Sequence, residues 1–311
     1  MASTLLSDTA TAPHLLNPSI TVPSPSPSPT TTPKPTPRNI PSAAFHYYLD
    51  PGDGSLPPPN YVNNPVSYER PVSTHSVPVR DIRGNEARYT LDSTGFQIWE
   101  HGSALEGSAW VDEGEIKEKY YKEVEGLLKD ATGASKIFIF DHTIRRPQPG
   151  SDAKDAEKAL RGPVQRVHID QSYKAGPQRV QHHLPDEAER LLKGRYQIIN
   201  VWRPIKTIRK DPLGVADATS VPDSDLVPVQ LVYPDRVGET YTVRPNPDHR
   251  WFYLSEQTPR EVLLIKCFDS KVDGRARRVP HSAFVDEANE GESPRESIEV
   301  RALVFHPDDV E

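Results

Sequence analysis

The sequence predicts an α+β fold that is mainly β, with the helices placed mostly on the N-terminal side of a sandwich or barrel. Three observations carry this. Short runs rich in β-branched and aromatic residues follow one another through the second half of the chain, at 228–233, 239–244, 251–254, 262–268 and 297–305, separated by Pro, Asp and Gly turns. One clear amphipathic helix precedes them, over 112–129, and no glycine-rich phosphate loop or internal repeat points to a parallel nucleotide-binding fold.

At 311 residues the chain can bury a sizeable core, but the 33 prolines crowd its beginning. Between 13 and 41 Ser, Thr and Pro alternate, a composition that cannot bury enough apolar surface to offset the cost of ordering. Residues 1–42 are therefore expected to form a disordered tail, a passive extension or a docking segment, and 43–311 the folded domain.

The aromatics of 43–50 open the domain ahead of the turn Pro51-Gly52-Asp53-Gly54. Short β pieces are expected at 77–82 and 87–91. In the helix at 112–129, Ile116, Tyr120, Val124, Leu127 and Leu128 share a face, acidic residues sit in the first turn, and Gly133 closes the end. A buried strand at 136–142, a polar loop at 145–163, a short helix at 185–193 and a strand at 196–204 complete the reading.

A formal net charge of −7 gives no basic footprint for nucleic acid or an anionic membrane. No run of about 18 apolar residues could span a bilayer, and the first 16 residues lack the charge and hydrophobicity pattern of a secretory signal. A soluble cytoplasmic protein is the simplest reading, with neither nucleic acid nor membrane as a partner. The single cysteine, Cys267, cannot form an intrachain disulfide and reads as a small buried apolar residue.

Chemistry concentrates in Val167-His168-Ile169-Asp170-Gln171-Ser172-Tyr173 and the distant Pro280-His281-Ser282. Two imidazoles and one carboxylate are the ligand set of a non-haem ferrous site with open positions. In an extended segment the period of two puts His168 and Asp170 on one face, so both can reach one ion. A third ligand must come from a facing strand end. His281 suits that place, with His182, His183 and His142 as rivals; a surface hydrogen-bonded pair is the plainer alternative for His168 and Asp170. Zinc with a bound water would also accept this donor set.

A dicarboxylate cosubstrate calls for a guanidinium, which meets a carboxylate with two parallel hydrogen bonds. Arg295 and Arg301 both follow His281 and share the odd-numbered face of one strand, with Ser297 between them; Glu299 could instead neutralise Arg301. Asn200, Trp202 and Arg203 lie on the strand expected to border the pocket, and Asp269 is a candidate to orient one of the histidines.

Several segments together resemble a known family. They are Phe45-His46-Tyr47-Tyr48 with Pro51-Gly52-Asp53-Gly54, Asp81-Ile82-Arg83-Gly84-Asn85-Glu86, Leu91-Asp92 with Gly95-Phe96, and Phe140-Asp141-His142-Thr143-Ile144-Arg145-Arg146. Val167-His168-Ile169-Asp170-Gln171-Ser172, Asn200-Val201-Trp202-Arg203-Pro204, Lys266-Cys267-Phe268-Asp269-Ser270, Pro280-His281-Ser282-Ala283-Phe284 and the strand 295–305 follow in order. From about residue 43 onward the chain resembles the fungal and bacterial family of the gibberellin GA4 desaturase, the AsaB-type hydroxylase/desaturases and the CmcJ-type cephem 7α-hydroxylation component. That resemblance implies a double-stranded β-helix (jelly-roll) oxygenase using Fe(II), 2-oxoglutarate and O2 on a small molecule of secondary metabolism. It also implies His168, Asp170 and His281 as iron ligands and Arg295 or Arg301 as the anchor of 2-oxoglutarate. The separation between residues 170 and 281 is longer than the general oxygenase pattern. A different class of function also fits the resemblance: a jelly-roll accessory protein that binds without turnover and assists a partner such as a methyltransferase.

Overall fold

The structure, a computed structural model, describes residues 35–146 and 162–310. Most of the expected tail, and most of the polar loop expected at 145–163, lie outside the described residues. The ordered backbone begins ahead of Ala43. Ile40–Tyr48 is already strand β1, and Arg38 donates its backbone N–H to Asp81 Oδ2 (2.8 Å) and pairs with Asp286.

Two sheets face each other. The larger is built from β1, β2 (Asn60–Tyr61), β3 (Val72–Asp81), β6 (His168–Ile169), β8 (Leu213–Ala216), β9 (Leu226–Val232), β10 (Val237–Val243), β11 (Trp251–Tyr253) and β13 (His281–Ala283). Its strand order is β1-β3-β11-β8-β13-β6-β10-β9-β2. The smaller contains β4 (Phe96–Glu100), β5 (Lys136–Arg145), β7 (Arg195–Pro204), β12 (Glu261–Asp269) and β14 (Ser297–His306), in the order β4-β12-β7-β14-β5. This is the jelly roll that the resemblance implies.

Side-chain alternation divides the smaller sheet into two faces. Ile198 and Trp202 of β7, Leu263 and Ile265 of β12, and Leu303 and Phe305 of β14 point inward, toward the larger sheet. Ile199, Val201, Val262, Leu264, Val300 and Ala302 point outward into a second core. Strand β7 is buried along its whole length for this reason.

The outer face is closed by the helical stretch that sequence periodicity predicts. Asp112 accepts the N–H groups of Gly114 and Glu115 (2.8 and 3.1 Å), a π-turn spans Ile116–Tyr120, and an α-helix continues over Tyr121–Thr132. Gly133 ends it in the left-handed region, φ 70°, where a side chain would be strained. Ile116, Tyr120, Val124, Leu127 and Leu128 pack on the sheet, each apolar side chain contributing about 1.5–3 kcal/mol by burial.

Two local expectations fail. Residues 87–91 form a 3-10 turn at Glu86–Arg88 followed by a loop. There Ser93 N donates to Thr90 Oγ1 (3.1 Å) and Thr90 N to Ser93 Oγ (3.2 Å), satisfying backbone groups that a strand would have paired. The short helix expected at 185–193 shrinks to Ala188–Leu191. A longer helix, Ala175–His183, precedes it, with Ser172 Oγ accepting from Ala175 N (3.1 Å) at its entrance. β1 and β3, which precede the helices in the chain, form one edge of the large sheet. Among the described residues no helix is long and apolar enough to cross a membrane.

A buried polar knot ties the smaller sheet to its loops. Lys266 Nζ donates to Asp269 Oδ2 (2.7 Å), Asp92 Oδ1 (2.7 Å) and the carbonyl of Ala276 (2.9 Å), while Arg195 and Gln197 also hold Asp269. Lys266 and Asp269 are both 0% exposed, so removing the cation leaves a buried carboxylate short of partners. Lys266→Met should cost stability toward the lower end of about 3–5 kcal/mol, since Arg195 remains, and chemical denaturation would show it.

His183 generates a pH-dependent term. Burial, followed by His182 and Arg179 on its own helix and Arg236 beyond β9, lowers its pKa to about 4, with Asp141 of β5 opposing, and Nε2 is buried without a hydrogen-bond partner. The unfolded chain, with an ordinary histidine near 6.5, binds the proton first, so this contribution is complete above about pH 6.5 and is lost as pH falls toward 4. Thermal unfolding of His183→Phe, which keeps an aromatic ring beside Phe140, should show a shallower loss of Tm from pH 7 to 5 than the parent protein.

Candidate active site

The two histidines that the sequence places far apart meet on neighbouring strands. β13 lies beside β6 in the larger sheet, and His281 is the direct cross-strand partner of His168. Their ring centroids are 4.3 Å apart. Asp170 follows β6 on the same face, with Oδ1 3.5 Å from His168 Nε2 and 4.0 Å from His281 Nε2. One ligand atom from each of the three residues lies within 4.8 Å of the others, which suits convergence on one ion.

Tautomers are set by the backbone. His168 Nδ1 donates to the carbonyl of Arg166 (2.7 Å) and His281 Nδ1 to that of Val279 (3.2 Å), so both Nε2 lone pairs face the site. Asp269, the orienting partner suggested by sequence, is instead held in the knot around Lys266, on the outer side of β12. Burial and then His168 lower the pKa of His281 to about 4, keeping its ring neutral.

The smaller sheet supplies what holds Asp170. Its Oδ2 accepts from Asn200 Nδ2 (2.8 Å) and from Arg301 Nε (2.8 Å), leaving Oδ1 for the site. Burial opposes the Asp170 charge, but Arg301 foremost, with both histidines, holds the carboxyl well below its ordinary value. Arg301 also reaches Asp141 Oδ1 and Thr143 Oγ1 (both 3.1 Å) and pairs with Glu299. The neutralisation by Glu299 that sequence allowed is therefore present. Burial raises the Glu299 carboxyl while Arg301 draws it down.

A cavity of about 360 Å³ opens at the triad. Arg295 lines it, 6% exposed, with its guanidinium carbon 5.4 Å from the Trp202 ring centroid. One of its nitrogens donates to the carbonyl of Asp211 (2.8 Å), whereas Nε is buried and has no hydrogen-bond partner among the described residues. Burial, then nearby Arg145, lowers its pKa to about 10. This is a guanidinium in want of an anion.

The remaining sequence candidates divide by strand parity. Trp202 forms part of the cavity wall, and Asn200, on the same face, touches Asp170 rather than the open space. Arg203 is a correction: odd-numbered positions of β7 face outward, and its guanidinium donates to Tyr120 OH (2.9 Å) and to the carbonyls of His101 and Pro259 (2.8 and 2.6 Å), away from the pocket. Ser297 is buried between Arg145 and Pro204 in the sheet and is not part of the wall. Among the rivals, His142 faces outward, bonded to Tyr121 OH (2.8 Å) and near Glu113. His182 and His183 end the helix Ala175–His183, where His183 stacks on Phe140. Cys267 is buried in the inner core, as its apolar surroundings predict, and burial pushes its thiol up.

Sequence reasoning missed Arg145, Arg166, Arg70 and Glu299 as cavity residues. A signal existed for Arg166: Arg166, His168 and Asp170 alternate along one extended segment and must share a face.

With this geometry in hand, comparison with known proteins becomes informative. A family model described as an oxidoreductase/YMDC permease-like domain matches residues 45–305. The hydroxylase/desaturase efuI of Hormonema carpetanum is 39% identical, over 86% of this chain and 95% of its own length. The alpha-ketoglutarate-dependent dioxygenase phiK of a fungal species is 37% identical over 86% of this chain and 96% of its own. The hydroxylase/desaturase asaB of Aspergillus flavus is 33% identical over 78% of this chain and 85% of its own. Among solved structures, the iron and alpha-ketoglutarate-dependent endoperoxidase NvfI superposes with a TM-score of 0.73 at 25% identity, covering 85% of this chain and 97% of that one. Matched along nearly its whole domain by the family model and by these fungal enzymes, the chain belongs to the oxidoreductase family of the hydroxylase/desaturases.

Proposed function

We propose that this protein is an Fe(II)- and 2-oxoglutarate-dependent oxygenase that hydroxylates or desaturates a small molecule of secondary metabolism. The observation that carries the proposal is the cross-strand pairing of His281 with His168 beside Asp170, with both Nδ1 protons taken up by carbonyls. The donor set fits a ferrous ion: two neutral imidazoles and one carboxylate oxygen, leaving other positions open. Bound there with 2-oxoglutarate and O2, iron supplies oxidation of an unactivated C–H bond, with succinate and CO2 as coproducts.

The chain's own residues place and shield the reactants. His168, Asp170 and His281 would hold the metal. Arg301, engaged by Asp170, Asp141 and Glu299, has the surroundings of a positioning residue that keeps Asp170 ionised and aimed. Arg295, which lines the cavity and has no carboxylate at ion-pair distance among the described residues, is the better anchor for the distal carboxylate of 2-oxoglutarate. The Trp202 ring, 5.4 Å from its guanidinium carbon, forms a wall against which the cosubstrate would be oriented. The accessory-protein alternative has no observation of its own in its favour, since the ligand positions and the guanidinium are all intact.

Anaerobic addition of Fe(II) and 2-oxoglutarate should give the weak visible charge-transfer band of a chelated keto acid, and Asp170→Ala should remove it. Absence of the band from the parent protein, or succinate release that survives His168→Ala, would defeat the assignment.

Arg295→Gln should weaken 2-oxoglutarate at least about tenfold, the scale of one lost charge-assisted contact, while leaving Fe(II) affinity near that of the parent. Arg301→Gln should do the reverse. Equilibrium titrations of metal and cosubstrate separate the two, and the opposite pattern would exchange the roles of the arginines.

A further inference from the structure

The cavity contains a second cationic place that the proposed chemistry does not use. Arg70 and Arg166 both line it. Arg166 Nη2 donates to the carbonyl of Arg70 (2.8 Å), so the two residues are in direct contact. Arg70 spends one nitrogen on the neutral side-chain oxygen of Asn60, and its Nε is buried with no hydrogen-bond partner among the described residues. Among the described residues neither guanidinium has a carboxylate at ion-pair distance, unlike Arg301, which has three. Burial, and then the charge of Arg166, lower the pKa of Arg70, as expected for adjacent cations that lack an anion.

Placement ties this pair to the reacting centre. Arg166 lies two residues before His168 on the same extended face, about 6.6 Å away along the backbone. The backbone on either side is pinned, since Val167 N donates to the carbonyl of His46 (2.9 Å) and the Arg166 carbonyl holds His168. The same cavity is also lined by the apolar Val164, Leu213, Val229 and Leu231. Arg295, two residues ahead of β14, lines the same space. The cavity therefore offers two anion sites, and 2-oxoglutarate requires only one beyond the metal.

We propose that the substrate is an amphiphilic carboxylic acid, whose carboxylate is received by Arg70 and Arg166 while its apolar skeleton lies on Val229 and Leu231 with a C–H bond presented to the triad. This rests on the oxygenase reading and specifies its substrate class. Each guanidinium can offer a carboxylate two parallel N–H donors, and a neutral substrate would leave buried donors unsatisfied.

The test uses the full chain loaded with Mn(II), which does not support turnover, and saturating 2-oxoglutarate. Calorimetric titration compares 2-naphthoate with the neutral 2-naphthamide, of nearly equal size. The acid should bind at least tenfold more tightly, and the ratio should collapse toward one in both Arg70→Gln and Arg166→Gln, with Arg70→Lys restoring part of it. Affinity for 2-oxoglutarate should be unchanged in these variants. Should Arg70→Gln fail to fold, Arg166→Gln decides alone. A ratio near one in the parent protein, failure of both probes to bind at millimolar concentration, or a preference that survives both glutamine variants overturns the proposal. A parent protein that does not bind 2-oxoglutarate defeats the oxygenase reading by that separate measurement, while the acid-to-amide ratio still reports on the arginine pair.

Discussion

The structure depends on one piece of β register: His281 sits directly across from His168. A shift of one residue in either strand would turn an imidazole to the far face, because successive side chains alternate. The register is held from both sides. β13 also pairs with β8, where His281 opposes Val215, and β6 pairs with β10, where His168 opposes Thr242. Two- and three-residue strands that could not persist alone are thereby fixed in the middle of a nine-stranded sheet.

The facing sheet completes the site by the same device. Arg301 of β14 is the cross-strand partner of Asn200 on one side and of Asp141 on the other. All three therefore project inward at one level, where Asn200 and Arg301 take the outer oxygen of Asp170. Along β14 the inward face changes character from Glu299 and Arg301 to Leu303 and Phe305, so a polar pocket grades into the inner core within one strand. Arg301 is thus paired with three carboxylates, whereas Arg295, set against the Trp202 ring, has none at ion-pair distance among the described residues.

Much of this was legible in the residues. The period of 3.6 in Ile116, Tyr120, Val124 and Leu127 gave the helix its packing face, and the period of two put Arg301 on the inward face of β14; Arg295, expected on the same strand, lies two residues ahead of it and still lines the cavity. The adjacency of His168 and Asp170 in an extended segment was likewise readable. Arg203 misled because a motif in sequence, Asn200-Val201-Trp202-Arg203-Pro204, crosses both faces of a strand buried on each side, so hydrophobic alternation gave no sign of which parity pointed inward. The helix Ala175–His183 escaped notice because its mean character is polar and its packing face is supplied by few residues, Ala175, Gly176 and Val180 among them. The cationic pair of Arg70 and Arg166 was invisible for another reason: the two arginines come from segments far apart in the chain.

The amino-acid sequence alone determined the mainly β character, the amphipathic helix and the His-x-Asp pair, since each is a matter of local spacing along one element. Only the tertiary structure decided which histidine lies beside His168 and Asp170, which arginine is already paired with carboxylates and which guanidiniums face the cavity. Those outcomes depend on cross-strand register and on the partners brought up by the opposite sheet, and neither is encoded in the spacing of any single segment.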